Sequence, residues 1–126
     1  MDEGETRAMS TNELAATQRE TCAHFGAEYC AAPPGMKLGI AENVRQGVLP
    51  INGLRHPPVG DTSGWYVWAG QELSADATFF KPLHIDHIQE WCPRIQKYLG
   101  LAPGWRFLVT NEYEDVWFDP DLLKPT

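Results

Sequence analysis

Eleven of the 32 residues in 33–64 are proline or glycine. Proline lacks the N–H that a helix interior or a central strand needs, and glycine loses more backbone entropy on ordering than any other residue. No long regular element fits such a stretch. Short extended pieces remain at 36–40 and 48–51, followed by a loop over 55–64, Arg55-His56-Pro57-Pro58-Val59-Gly60-Asp61-Thr62-Ser63-Gly64. Loops of that length inside a small domain are often functional.

The flanks are more regular. Ser10 and Glu13 have capping-box spacing, and Leu14, Cys22, Phe25 and Tyr29 then repeat at helical intervals. The pattern predicts a helix over 11–29, stopped by Pro33-Pro34-Gly35. After the loop, 65–69 has strand composition and ends at Gly70. Asp76 or Thr78 is placed to cap a short turn. A helix is expected over 84–91, with Leu83, Ile85, Ile88 and Trp91 as its apolar face, and a second over 93–99 with Pro93 at its first position and Gly100 as its stop. Two strands, 105–110 and 113–118, flank Asn111-Glu112, which is hairpin spacing. Alternation puts Trp105, Phe107 and Val109 on one face, and Asp115 and Trp117 on the face opposite Glu114, Val116 and Phe118. The reading is a disordered tail at 1–9 and a single α+β domain over 10–126. Its sheet is mostly antiparallel, with an N-terminal helix, a central helix and a C-terminal hairpin.

At 126 residues and 43% hydrophobic composition, the chain can bury a core without staples. Three cysteines at unpatterned spacing (Cys22, Cys30, Cys92) read as free thiols in a reducing compartment, taken as cytoplasmic. No apolar run is long enough to span a membrane, and the acidic, polar first ten residues do not read as a secretory signal. Seventeen acids against ten bases give a net charge of −7, the wrong sign for a generic nucleic-acid binder. That charge sits at the ends: 1–30 carry −4, 31–110 carry +1 and 111–126 carry −4.

Three constellations bear on chemistry. His84-Ile85-Asp86-His87, with His56, offers metal-ligand types, yet it is not H-E-x-x-H and no C-x-x-C supports it; the polar start of a helix explains it as well. Ser63, Ser74, Cys92, His56, His84 and Asp86 supply nucleophile, base and carboxylate types, but there is no G-x-S-x-G and no phosphate-binding glycine motif. Neither asks for an enzyme, and no cofactor is implied. Third, five carboxylates interleave with three aromatics in Glu112-Tyr113-Glu114-Asp115-Val116-Trp117-Phe118-Asp119-Pro120-Asp121. Such a strand suits a basic protein partner, and it equally suits an edge that must not aggregate. Arg106 reads as an internal counter-charge for Glu114 or Asp115. All five tryptophans lie within 65–117, as core or as anchors; Trp65, just after the loop, is the one expected at the surface.

Several short stretches, in order, resemble the immunity protein 33 family, small bacterial proteins of polymorphic toxin systems. They are Leu38-Gly39-Ile40-Ala41-Glu42-Asn43-Val44, Arg55-His56-Pro57-Pro58, Ser63-Gly64-Trp65-Tyr66-Val67-Trp68-Ala69-Gly70, Phe80-Lys81-Pro82-Leu83-His84, Pro103-Gly104-Trp105-Arg106-Phe107-Leu108 and Tyr113-Glu114-Asp115-Val116-Trp117-Phe118-Asp119. The resemblance covers about 36–123, and the order of the pieces carries it more than any one of them. It implies an α+β domain without catalysis that neutralises a cognate toxin in the cytoplasm, and it supplies no catalytic residues. Joined to the charge pattern, it makes Glu112, Glu114, Asp115, Trp117 and Asp119 of the hairpin, with Trp65 and its loop, the expected partner-binding face. The competing expectations are a small-molecule or metal enzyme built on His84 and His87, and an interaction module with another partner. The oligomeric state stays open.

Overall fold

In the structure, a computed structural model that describes residues 10–71 and 79–124, Ser10 opens the first helix as its spacing predicts. Its Oγ accepts from the Glu13 N–H at 3.1 Å, and a Glu13 carboxylate oxygen accepts from the Ser10 N–H at 2.8 Å. Helix α1 runs Thr11–Phe25. It ends earlier than expected because Gly26 adopts φ +76° and the Ala27 N–H turns back to the Cys22 carbonyl at 2.8 Å. The chain leaves the helix there, and Cys22 and Cys30 both meet the Gly100 carbonyl, through the Cys22 thiol at 3.4 Å and the Cys30 N–H at 2.7 Å. The tail at 1–9, the caps Asp76 and Thr78, and Ser74 lie outside the described residues.

Six strands follow: β1 Lys37–Ala41, β2 Ile51–Arg55, β3 Thr62–Ala69, β4 Phe80–His84, β5 Trp105–Val109 and β6 Glu114–Phe118. They form one sheet in the order β4-β1-β3-β2-β5-β6, with only β1 and β3 parallel. The domain is α+β as expected, and the C-terminal hairpin closes through a 2.8 Å bond from the Thr110 N–H to the Tyr113 carbonyl. Three expectations change. The strand read at 48–51 starts only at Ile51, beyond Pro50, and runs through Gly53. Glycine there reads as a breaker, but a Cβ would lie 2.2 Å from the Phe107 ring, so the close approach of that ring requires glycine. Phe80–His84 is a strand, not the approach to a helix: Pro82 sits on a sheet margin, where a missing N–H breaks no ladder. His84 therefore ends a strand, and the expected helix shrinks to a 3₁₀ turn, Ile85–His87, and α2, Ile88–Trp91. Pro93 begins a further 3₁₀ turn, Pro93–Tyr98.

These helical pieces cover one face of the sheet. The Tyr98 ring stacks on Phe107 at 4.6 Å, the Trp65 indole N–H donates to the Leu99 carbonyl at 3.0 Å, and Gln18 of α1 donates to the Gln96 carbonyl at 2.9 Å. The core lies between, built from Leu38, Ile40, Val67, Ile51, Phe107 and Val109 on the strands and Cys22, Ile88, Ile95 and Leu99 on the helical side.

Candidate functional site

The opposite face of the sheet is where alternation sends the other half of the side chains, and register fixes their neighbours. One row runs Pro82, Gly39, Tyr66, Leu54, Arg106 and Trp117 across all six strands. The next row holds Phe80, Ala41, Trp68, Asn52, Leu108 and Asp115. Around Tyr66 the aromatics meet edge to face: His56 to Tyr66 at 5.7 Å, Tyr66 to Phe80 at 5.2 Å and Trp68 to Phe80 at 6.2 Å. With Leu54 they line a depression of about 250 Å³, enough for one large apolar side chain. His56 Nδ1 lies 3.2 Å from the Leu122 carbonyl; an oxygen that only accepts puts the ring proton on Nδ1.

The row ends at the hairpin, and there the expected binding residues separate. Trp65 is not a surface anchor. It is 0% exposed, with its ring 5.7 Å from Phe107 and the Arg55 guanidinium 5.7 Å from its centroid. The reason is phase: in β3 Trp65, Val67 and Ala69 face the core, so Tyr66 is the residue turned outward. Glu114 also faces the helical side. Its carboxylate takes a short hydrogen bond from the Tyr98 hydroxyl and lies 3.4 Å from Lys97 Nζ. The Tyr98 hydroxyl holds its carboxyl below the usual carboxylate range, against a smaller opposing effect of burial and with Lys97 adding to it. Burial, then the hydrogen bond to Glu114 and that group's charge, pushes Tyr98 far up.

Arg106 counterbalances neither Glu114 nor Asp115. It lies on the outer face, so its Nη1 reaches Asp119 at 3.1 Å while its guanidinium lies 5.4 Å from the Trp117 ring centroid. Asp119 is doubly occupied, because it also accepts from the Asp121 N–H at 3.1 Å and caps the last turn, Pro120–Leu123. Arg106 Nε is buried without an acceptor among the described residues, so Asp119 and the ring are what hold the guanidinium. That leaves Glu112 at the turn and Asp115 on the outer face. Both are exposed, and neither has an ion-pair partner among the described residues. Glu112, Asp115 and Trp117 are residues the sequence singled out; Tyr66, Leu54, Phe80 and Leu108, which it did not, share the rows of this face, and their only signal is the alternation phase of β2, β3, β4 and β5.

The chemistry-bearing clusters are dispersed. The His84 and His87 rings are 6.0 Å apart, His87 faces Asp86 at 3.7 Å, and among the described residues no three ligating groups converge. Ser63 is buried; its hydroxyl donates to the Lys37 carbonyl at 2.9 Å and accepts from the Trp65 N–H, so it has no base beside it. Cys92 is buried, which pushes its thiol up, away from the nucleophilic thiolate. A second cavity of about 310 Å³ lies on the helical side between α1, the extended chain at 29–34 and the 85–96 segment; Leu14, Gln18, Tyr29, Ile85, Ile88 and Leu99 are among its walls. Among the described residues no helix is long and apolar enough to cross a membrane.

Compared with known proteins, residues 17–119 match the family model of the Imm33-like domain. Neither the curated proteins nor the solved structures gave a match.

Proposed function

The chain belongs to the Imm33-like family, and from that membership we propose that it is a non-catalytic immunity protein that binds a cognate toxin in the cytoplasm and blocks it. The observation that carries this reading is the sheet face away from the helical pieces: Tyr66 and Phe80 rim a depression over the buried Leu54 and Trp68, and the exposed Asp115, with Glu112 at the adjoining turn, has no ion-pair partner among the described residues. Apolar rows with a receptive depression give area and an anchor point, and unpaired acids at one end give direction to a basic partner. Glu112, Asp115 and Trp117 contribute directly, with Tyr66, Leu54 and Phe80 as the apolar floor. Glu114 and Asp119 act indirectly, by holding the hairpin against Tyr98 and Arg106. Trp65 acts only through the core.

The test joins capture to protection. The purified chain is used as bait, the toxin domain that elutes at high salt is identified, and that domain is expressed in cells with and without the chain. Protection is expected. Glu112→Lys with Asp115→Lys is expected to slow association about tenfold at low salt while the far-ultraviolet spectrum stays unchanged. Cells that die equally with the intact chain would refute the reading.

A further inference from the structure

The sheet has two margins, and they are built differently. β4 carries Lys81 and Pro82, a cation and a residue with no N–H, which are devices that stop another strand from adding. Residues 113–119 of the β6 margin contain no lysine, proline or glycine, and β6 pairs with β5 through five consecutive positions without a bulge. The hydrogen-bond phase of that pairing is set at both ends. The Thr110 N–H donates to the Tyr113 carbonyl at 2.8 Å, and the Asp119 N–H donates to the Gly104 carbonyl at 2.7 Å. Residues 113, 115, 117 and 119 therefore turn their backbone toward β5, and Glu114, Val116 and Phe118 turn theirs outward. Among the described residues no strand lies beyond β6.

This margin selects its own occupant. A second copy pairing on β6 would bring two sets of the unpaired carboxylates of Glu112 and Asp115 within about one Debye length, roughly 10 Å, and strand pairs with facing like charges are disfavoured. An extended segment with lysine or arginine at alternate positions reverses that sign. Resting on the toxin-binding reading above, we propose that the partner engages β6 by strand addition, laying an extended basic segment along Glu114, Val116 and Phe118 as a seventh strand. Backbone hydrogen bonds would supply the attachment, and Glu112 and Asp115 would supply the preference for basic side chains.

The test uses a nine-residue peptide alternating lysine and valine, N-methylated at its valines so that only one edge can pair, with a glutamate–valine counterpart as control. Amide hydrogen exchange is followed residue by residue. With the basic peptide, the amides of 114, 116 and 118 are expected to slow at least tenfold, those of 115 and 117 to stay as slow as in the free chain, and the acidic peptide to change nothing. Val116→Pro removes one outward N–H without touching the β5 ladder, and Val116→Ala keeps it. Binding is expected to fall at least tenfold in the first and to persist in the second. Free exchange at 114, 116 and 118 with saturating basic peptide overturns strand addition, as does undiminished binding by folded Val116→Pro. If Val116→Pro does not fold, the exchange result on the intact chain decides. A toxin that binds while those amides still exchange freely sinks strand addition and leaves the immunity reading standing.

Discussion

Arg55 carries a charge into the core and, among the described residues, meets no carboxylate there. Its guanidinium is 1% exposed, and its N–H groups donate to the carbonyls of Ser63 at 2.9 Å, Cys30 at 2.7 Å, Leu101 at 2.8 Å and Ala31 at 3.4 Å. One residue thus ties the chain after α1 to β3 and to the segment before β5. Burial depresses its pKa, with the Cys30 thiol opposing that effect, but a guanidinium stays charged in proteins. Arg55→Met should cost about 3 kcal/mol, because the carbonyls left without donors outweigh the relief of a buried charge. Urea unfolding measures it. Glu114 makes a pH-dependent contribution whose sign follows from its direction. Its folded-state pKa is depressed below the ordinary 4.5 by Tyr98 and Lys97, so the unfolded chain binds the proton more readily. The stabilisation is full above 4.5 and is lost as pH falls through the folded value. Glu114→Gln should therefore be less stable than the natural chain at pH 7, and that gap should close on acidification below the usual carboxylate range. A gap that stays constant down to pH 2 would remove the assignment.

At the scale of elements, β2 decides how the sheet is built. It lies between β3 and β5 and accepts Gly53 because Phe107 needs the space above it. Gly53→Ala has to push that ring, which is already stacked on Tyr98, and overpacking of this kind costs about 1–3 kcal/mol. Combining it with Phe107→Leu should cost less than the sum of the two single changes. A double-mutant cycle in urea reads this coupling, and strict additivity would show that the ring is not the obstacle. Alternation alone correctly places Phe107, Val109 and Trp117. It cannot say which face of β3 is the inner one, because Trp65, Tyr66, Val67 and Trp68 are all apolar. Composition is silent where both phases look hydrophobic. Likewise β4 hides behind Pro82, which only a margin position tolerates, and α1 is legible from Ser10 and Glu13 while its end depends on the left-handed turn at Gly26.

For the whole molecule, charge is the dominant property that acts at a distance. A chain of net charge −7 whose last sixteen residues carry −4 presents an acidic end to any partner. Association with a basic partner should therefore slow steeply between 50 and 500 mM salt while dissociation changes little, as screening shortens the reach of exposed charges. Stopped-flow association at graded salt measures this. A rate that does not respond to salt would mean that the apolar face, not the acidic end, governs encounter.

The sequence by itself determined the class of fold, the capped first helix, the closing hairpin and the sign of the net charge. All of these rest on local spacing and on counting, which need no knowledge of what lies opposite. Only the tertiary structure decided which tryptophan is core, that Arg106 serves Asp119, that Glu114 is held by Tyr98 and Lys97, and that Tyr66, Leu54 and Trp117 share one row. Those outcomes depend on strand register and on which face the helices cover, and both are set by pairings between residues far apart in the chain.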